Sequence, residues 1–441
     1  MGSSILTPES TSDWLAPRAH GLIDATVQVP ASKSLTNRYL VLAALADGPS
    51  RLRKPLRSRD SDLMIEALRV LGTGIDELDS DDGAGQDLLI TPIDRSAVRG
   101  EVTVDCGLAG TVMRFVPPLA ALLNATVFFD GDPAARVRPM APVVTALKDL
   151  GLHVQDEEAG LLPFTVASTG SVAGAELRVD SSGSSQFISA WLLVGAFFEQ
   201  GLRIEHVGNS VPSLDHIHMT IATLREVGVQ VDEPGPNQWL VHPGSVRAFD
   251  VAVERDLSNA GPFLAAALAA GGTVRVPDWP AQTTQVGARW PEILTRMGAT
   301  TSYDNGVLTV KGHGTIKGID LADASELAPT VAALGALANS ETRLTGIGHL
   351  RGHETDRLAA LVAEIKALGG DAQELADGIL IRKPVDRGGV FHSYEDHRMA
   401  TAGAIIGLAV DGVRVEDIGT TAKTMPDFPR MWQELAATGG A

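Results

Sequence analysis

Basic and hydroxyl side chains stand directly before several alanine-rich, apolar segments of this chain. In the first case, Lys33, Ser34 and Arg38 lead into the apolar run 39–46. A run that is apolar on nearly every side is typical of a buried helix. The first turn of such a helix has free backbone N–H groups at the positive end of the helix dipole. This stretch therefore predicts a binding site for an anion at a helix N-terminus.

Taken alone, the same stretch also fits an ordinary capped helix with a solvated lysine and arginine. The pattern recurs, however, and the recurrence favours a binding site. Arginine binds phosphate and carboxylate groups through paired hydrogen bonds, and a carboxylate nearby can move protons. We therefore predict a site for two anionic small molecules, with Glu326 or Glu354 as the proton-transfer group. The further segments of this kind are 106–114, 136–139, 181–186, 254–259, 325–329, 351–357, 394–398 and 421–424.

Several of these side chains also have a simpler explanation. Glu326 could do no more than stabilise the start of a helix. Arg357 could pair with Glu354 on one helix face, and His353 and His397 could be surface histidines. These alternatives stay open when the residues are considered one at a time.

Amphipathic segments that end in glycine divide the chain into six similar parts. Each part also contains a short β-branched strand and an alanine-rich apolar helix. A repeat of this size indicates a protein built from similar structural units, and it is considered before any fold is assigned. Because helices that are apolar all round must be buried, we predict an α/β protein of six repeats with one buried helix each. The glycines that end the amphipathic segments are Gly72, Gly151, Gly228, Gly298 and Gly369, with a weaker sixth at Gly439.

Six repeats divide naturally into two lobes, each built around three buried helices. We expect one lobe to contain residues 1–31 together with 254–441, and the other to contain residues 32–253. The chain would cross between them near residues 29–33 and again in 241–253, where proline and glycine interrupt the pattern. The active site is then expected in the cleft between the lobes.

The bulk composition excludes several classes of protein. A net charge of −18 argues against a nucleic-acid partner, because binding a polyanion requires a basic face. The single cysteine, Cys106, excludes an intrachain disulfide and a cysteine-rich metal site. We expect a cytoplasmic location, because residues 1–14 lack the features of a secretory leader. No membrane partner is expected either, since no run approaches the roughly 18 apolar residues of a membrane span.

No metal or cofactor site is evident in the sequence. His216 and His218 lie two positions apart, which is a poor spacing for metal ligands on a helix, and no third ligand accompanies them. We therefore expect no metal and no cofactor. The expected partners are the small-molecule substrates alone, and the expected state is a monomer.

Seven motifs in this order resemble the EPSP synthase family, over about residues 27–428. The resemblance implies two lobes of three βαβαββ units each, described as inverse α/β barrels. It also implies transfer of the enolpyruvyl group of phosphoenolpyruvate to the 5-hydroxyl of shikimate 3-phosphate, on the way to chorismate and the aromatic amino acids. Glyphosate would then be an inhibitor. The motifs are Lys33, Ser34 and Arg38; 109–114; Arg138 and Pro139; 184–187; 354–357; 396–400; and 423–427.

The resemblance also implies roles for individual residues. Glu326 would be the base for the acceptor hydroxyl, Lys33 and Glu354 are candidates for delivering a proton to C3, and Lys423 completes the catalytic set. The residues implied for phosphoenolpyruvate are Lys33, Gly110, Arg138, Gln186, Arg357, Arg398 and Lys423. Those implied for shikimate 3-phosphate are Lys33, Ser34, Arg38, Ser184, Ser185, Gln186, Ser210, Glu326 and His353.

Two alternatives belong to other classes of activity. The UDP-N-acetylglucosamine enolpyruvyl transferases share the implied fold, but that family has a cysteine in the loop that corresponds to 131–138, and this chain has none there. A non-catalytic sugar-phosphate-binding protein would need the cationic residues but not Glu326, Glu354 and Lys423 together. The chain departs from the family's common residues at Leu108, Phe115 and Ser213, at His353, which stands in place of lysine, and at Glu326, which stands in place of aspartate.

Overall fold

The computed structural model describes residues 13–81, 85–157, 160–209 and 211–440. Contacts divide the chain into two compact units. Unit 1 contains 1–28, 258–279 and 289–441, and unit 2 contains 29–257 and 280–288. These bounds differ from the expected lobe bounds by a few residues, and residues 280–288 join the other unit. The expected cleft between the lobes stays a prediction.

The strands are short, as expected for repeats that each bury one face against helices. In chain order they are β1 Trp14–Leu15, β2 Ile23–Thr26, β3 Ser50–Arg53, β4 Gly74–Asp79, β5 Gln86–Thr91, β6 Glu101–Asp105, β7 Thr126–Asp130, β8 His153–Asp156, β9 Phe164–Ala167, β10 Ala175–Val179, β11 Leu202–His206, β12 Val231–Gly235, β13 Gln238–Val241, β14 Asp250–Ala252, β15 Gly272–Val276, β16 Thr300–Asp304, β17 Val307–Gly312, β18 Asp320–Ala322, β19 Thr342–Thr345, β20 Asp371–Leu375, β21 Gly378–Lys383, β22 Gly389–Phe391 and β23 Val413–Val415.

The helices alternate with these strands. They are α1 Lys33–Ala44, α2 Arg59–Val70, α3 Gly110–Ala120, α4 Pro133–Arg136, α5 Ala141–Asp149, α6 Gln186–Val194, α7 Leu214–Glu226, α8 Leu257–Ala269, α9 Trp290–Arg296, α10 Ala328–Gly335, α11 Arg357–Ala367, α12 His397–Ala409 and α13 Phe428–Ala437.

Six sheets carry the repeat. Unit 2 contains the sheets ordered β14-β3-β5-β4, β6-β7-β9-β8 and β10-β11-β13-β12, and unit 1 contains β16-β17-β15-β2, β18-β19-β21-β20 and β1-β23-β22. Each sheet has one parallel pair, and antiparallel pairing joins its remaining strands. The described strands form separate sheets rather than one closed barrel. The predicted α/β repeat is confirmed.

The apolar helices are buried as their sequences require. In α3 every residue from Thr111 to Ala120 is buried, and in α10 the whole span is buried. By contrast α2, α5 and α7 bury one stripe and expose the other, as amphipathic helices do. The buried helices are therefore fixed on all sides, which holds the residues at their first turns in place.

None of the helices in the described part of the chain is long and apolar enough to cross a membrane.

Close packing around α8 gives a test of the fold. A methyl group on Gly261 would lie 2.3 Å from Cζ2 of Trp290, whose ring is fully buried. We expect Gly261→Ala to lower the free energy of unfolding by about 1–3 kcal/mol, because the rigid ring has to move. Urea denaturation measures the change. Gly244→Ala is the control, since a methyl there meets nothing within 4 Å, and equal stability of the two variants would contradict the packing.

Candidate active site

A buried carboxylate lies at the centre of the ionisable residues of unit 1. Glu354 Oε1 accepts a hydrogen bond from Lys423 Nζ at 2.7 Å, and Oε2 accepts one from His397 Nδ1 at 3.0 Å. Arg357 Nη2 lies 3.8 Å from the same carboxylate. Three elements converge here, because Glu354 and Arg357 flank the start of α11, His397 begins α12, and Lys423 ends the turn 418–423. We call Glu354, Arg357, Asp396, His397 and Lys423 the Glu354 cluster.

A second acid of the cluster, Asp396, ties the starts of two helices together. Its carboxylate accepts from Arg357 Nε at 2.7 Å and from Arg357 Nη2 at 3.2 Å. The same carboxylate caps α12 by accepting from the backbone N–H of Arg398 at 2.8 Å. Both side chains are almost fully buried. Removing one partner of such a pair leaves an uncompensated buried charge, so the first turns of α11 and α12 are held at a fixed separation.

The protonation states within the cluster follow from its contacts. Burial raises the pKa of Glu354, but Lys423, His397 and Arg357 outweigh burial and hold that pKa well below its usual range. Burial lowers the pKa of His397 despite the neighbouring Glu354. At neutral pH the glutamate is therefore ionised and the histidine neutral, with Nδ1 donating to Glu354. Its Nε2 is buried without a partner.

The loop before α12 is strained and firmly held. Tyr394 and Glu395 have φ values of 54° and 56°, in the left-handed region that non-glycine residues seldom adopt. Glu364, a buried residue of α11, accepts from the backbone N–H of His392 at 2.9 Å and from the Tyr394 hydroxyl at 2.7 Å. These bonds offset the strain and direct the chain into Asp396, so Glu364 positions the start of α12.

Glu326 lies on a single turn before α10 and keeps part of its side chain exposed. Its Oε1 accepts a hydrogen bond from the Ser258 hydroxyl and lies 3.3 Å from Arg398 Nη2. A hydroxyl donor and a cation both favour the ionised carboxylate. The carboxylate is thus anionic, half-buried and oriented, as a general base has to be. His353 Nδ1 lies 3.4 Å from Arg357 Nη1, which connects it to the Glu354 cluster.

Unit 2 brings two arginines together beside the start of α3. A methyl group on Gly110 would lie 2.7 Å from Arg114 Nη1 and 3.2 Å from Arg138 Nη2. In the described part of the chain neither guanidinium pairs with a carboxylate, and the Nε atoms of both are buried without a partner. Arg114 Nη1 donates instead to the Gly110 carbonyl at 3.2 Å and to Gln186 Oε1 at 3.4 Å. We call Gly110, Arg114, Arg138 and Gln186 the arginine-pair cluster.

Electrostatics make the arginine-pair cluster suitable for an anion. Burial lowers the pKa of Arg114 well below its usual value, and the charge of Arg138 lowers it further. Two converging positive charges repel each other until a negative charge lies between them. A phosphate or carboxylate would supply that charge and the acceptors that the guanidinium groups lack.

The first predicted helix start is partnered from within unit 2. Lys33 Nζ lies 3.1 Å from the buried carboxylate of Asp60, and its backbone N–H donates to Asp256 Oδ2 at 3.3 Å. Arg38 is buried and donates to Thr220 Oγ1 at 2.7 Å, to the Ser34 carbonyl at 2.9 Å and to the His216 carbonyl at 3.0 Å. Arg38 thus braces α7, and its predicted contact with a substrate stays a prediction.

The structure brings together most of the residues that were predicted for the site. In unit 1 a chain of contacts runs from Glu326 through Arg398, Asp396 and Arg357 to Glu354 and Lys423, with His353 beside it. In unit 2 Gly110, Arg138 and Gln186 share one cluster, Ser184 accepts from the Gln186 N–H at 3.3 Å, and Ser185 is buried beside them. Ser210 lies outside the described residues. The residues that sequence reasoning left without a role are Asp60, Arg114, Asp396 and His397, of which the last three stand inside the motifs.

The comparisons with known proteins agree with one another. The family model of EPSP synthase (3-phosphoshikimate 1-carboxyvinyltransferase) matches residues 17–432. The chain is 57% identical over 432 residues to a 3-phosphoshikimate 1-carboxyvinyltransferase of Kocuria rhizophila, covering 97% of each chain. Two structures of EPSP synthase from Acinetobacter baumannii show a similar fold. One has a TM-score of 0.76 at 24% identity, over 95% of this chain and 97% of that one. The other has a TM-score of 0.75 at 23% identity, over 96% and 97%.

The neutral state of His397 makes stability depend on pH. Its pKa is lower in the folded chain than the roughly 6.5 of a free histidine. Its contribution to stability is therefore complete above that value and is lost as the pH falls toward the folded pKa. We expect His397→Asn to flatten the fall in melting temperature between about pH 7 and pH 5. Asparagine keeps a donor near the Nδ1 position but does not titrate.

An exposed histidine of the same unit supplies the control. His20→Asn is expected to leave the slope of melting temperature against pH unchanged, because His20 is exposed. Equal slopes in all three proteins would contradict the assignment of a buried neutral histidine.

Proposed function

The chain belongs to the family of EPSP synthases, and from that premise we propose which side chains carry the reaction. The protein is a 3-phosphoshikimate 1-carboxyvinyltransferase. It transfers the enolpyruvyl group of phosphoenolpyruvate to the 5-hydroxyl of shikimate 3-phosphate and releases phosphate. The reaction belongs to the shikimate pathway, which supplies chorismate and the aromatic amino acids.

Phosphoenolpyruvate is assigned to the cationic residues of both units. The observation that carries this proposal is the arginine-pair cluster, in which Arg114 and Arg138 converge without a carboxylate between them. Gly110 leaves room for the ligand, and Arg114 joins the set on this geometry. Glyphosate, a phosphonate, would compete at the same place. The proposed residues are Lys33, Gly110, Arg114, Arg138, Gln186, Arg357, Arg398 and Lys423.

Shikimate 3-phosphate is assigned to the serine-rich loop and to the partly exposed side chain of Glu326. Small hydroxyl donors and helix N–H groups suit its phosphate, and an anionic carboxylate suits its ring hydroxyls. His353 stands here in place of the family's common lysine. The proposed residues are Lys33, Ser34, Arg38, Ser184, Ser185, Gln186, Ser210, Glu326 and His353.

Glu326 is the proposed general base. The acceptor hydroxyl loses its proton as its oxygen attacks C2 of phosphoenolpyruvate, and a carboxylate within hydrogen-bond reach can take that proton. Ser258 and Arg398 orient the Glu326 carboxylate. The side chain stays 19% exposed, which a purely structural helix-start acid does not need.

The proton for C3 requires a group that is protonated before the reaction. Glu354 is ionised at neutral pH, because its pKa lies well below the usual range. The ammonium groups of Lys33 and Lys423 carry protons, and Lys33 is the proposed donor. When phosphate leaves, C3 loses a proton again to the neutral amine, which restores the double bond of the enolpyruvyl group. Glu354 then orients Lys423 and His397 within the cluster and balances their charge. The base and the acid are thus separate groups in different protonation states.

Two other functions compete with this proposal. A UDP-N-acetylglucosamine transferase would require a cysteine. The single cysteine of this chain, Cys106, is buried, and burial raises its pKa and keeps it a neutral thiol. If the protein only bound its ligand, the Glu326 carboxylate beside Arg398 would have no chemical role. We also propose that the chain acts as a monomer in the cytoplasm, a reducing setting that suits a free cysteine.

The test of the reaction is phosphate release from phosphoenolpyruvate. We expect release with shikimate 3-phosphate as acceptor and none with UDP-N-acetylglucosamine. Release with the nucleotide sugar alone would favour the rival transferase. Binding of shikimate 3-phosphate without phosphate release would favour the non-catalytic binder.

The role of Glu326 is tested by Glu326→Gln, which keeps the shape of the side chain and removes its basicity. We expect kcat to fall by roughly 10²–10⁴-fold, the usual range for general acid–base catalysis. The KM for shikimate 3-phosphate should change much less. Glu292→Gln is the matched control, because Glu292 is an exposed partner of Arg296. Normal kcat with weakened binding would make Glu326 a binding residue only.

A further inference from the structure

His206 stands where two loops of unit 2 leave the same edge of a sheet. It is the last residue of β11, and it lies opposite Val179, the last residue of β10, in a parallel pair. The chain after β10 runs through 180–185 into α6, and the chain after β11 runs through 207–213 into α7. Loops at the carboxyl ends of parallel strands are where α/β sheets bind ligands.

The imidazole of His206 is bonded to both loops. Its Nδ1 accepts a hydrogen bond from the backbone N–H of Ser181 at 3.1 Å and lies 3.3 Å from the carbonyl oxygen of Val179. Its Nε2 donates to the carbonyl of Asn209. The ring is buried. One side chain thus links the start of the serine-rich loop to the loop that follows β11.

Further hydrogen bonds and a close backbone approach join the two loops to each other. The Asn209 N–H donates to Ser182 Oγ at 2.9 Å, and the Ser182 N–H donates to Asp180 Oδ1 at 2.9 Å. Gly208 has a φ of 122°, and a methyl there would lie 2.7 Å from Asp180 Oδ1 and 2.8 Å from Ser182 Oγ. The second loop therefore approaches the first more closely than any other residue type at 208 would permit.

We propose that His206 is a positioning residue that locks loops 180–186 and 207–209 into one rigid binding wall for the phosphate group of shikimate 3-phosphate. The inference rests on the proposed function, which assigns Ser184, Ser185 and Ser210 to that substrate. His206 touches no substrate. It acts by fixing the separation of the two loops, because a phosphate is bound well only by donors already set at the right distance.

Three substitutions test the hydrogen bonds of the His206 ring to Ser181 and to Asn209 separately. His206→Asn keeps an acceptor near the Nδ1 position and loses the bond to Asn209, and His206→Gln keeps a donor near Nε2 and loses the bond to Ser181. His206→Phe loses both. We expect the KM for shikimate 3-phosphate to rise about fivefold for each single loss and more than about tenfold for the double loss, on the scale of one neutral hydrogen bond each.

A positioning role is identified by which kinetic constants change and which do not. The kcat and the KM for phosphoenolpyruvate should stay within about twofold, because the reacting groups are not displaced. The control His153→Asn alters an exposed histidine of β8 and should change neither constant. Should a His206 variant fold poorly, Gly208→Ala gives the same test by pushing the loops apart, with Gly244→Ala as its control.

The outcomes are distinct. A KM for shikimate 3-phosphate that is unchanged in His206→Phe and Gly208→Ala, or that rises together with the KM for phosphoenolpyruvate, would overturn the inference while leaving the proposed function intact. Absence of shikimate 3-phosphate binding by the unsubstituted protein, measured by calorimetry, would overturn the proposed function and this inference with it.

Discussion

The buried ion pair between Arg357 and Asp396 is the interaction on which the rest of the unit 1 site depends. Both partners are inaccessible to water, so neither can be hydrated, and each is costly without the other. The pair joins α11 to α12, and the same aspartate caps α12. This one ion pair therefore fixes the positions of Arg398, His397 and Glu354. It cannot be partly lost, because either partner alone would be an unpaired buried charge.

A chain with a net charge of −18 must concentrate positive charge locally to bind two anions. The two clusters differ in their balance of charge. In the Glu354 cluster, cations are balanced by acids, so the charge is nearly neutral and the side chains are rigidly held. In the arginine-pair cluster, Arg114 and Arg138 repel each other; Arg114 lies over the Phe187 ring, and Arg138 donates to the Leu108 carbonyl. The first arrangement favours orientation, and the second favours affinity for an anion.

The sequence predicted the fold well because burial has a simple signature. Helices such as α3 and α10 are apolar on every side, and no surface position suits them. The family resemblance also assigned Glu326, Glu354, Arg357 and Arg398 to one site, and in the structure a series of contacts links them. It was harder to predict which charged side chains pair with each other. The partner of Lys33 is Asp60, which stands among other charged residues of 51–62, and only the packing of α1 against α2 selects it.

Other contacts were hidden for the same reason. The donors of Arg38 are directed to Thr220 and to two backbone carbonyls, and its expected contact with the substrate stays a prediction. Arg114 stands inside a motif, but among the described residues no carboxylate pairs with it, and a linear sequence cannot show such an absence in space. Periodicity reports whether a residue is buried. It does not report which charges neutralise each other, because that depends on contacts between distant segments.

The positions that break local rules are the ones that hold the candidate sites in shape. Tyr394 and Glu395 adopt left-handed backbone conformations just before α12, at a cost of order 1–3 kcal/mol each. Glu364 offsets that cost with two hydrogen bonds from a position one helix away. The strain would relax if Glu364 were free to move, and the start of α12 would shift with it. Precision at the Glu354 cluster therefore comes from buried polar contacts outside the cluster, each of which fixes a loop that local preference alone would leave in another conformation.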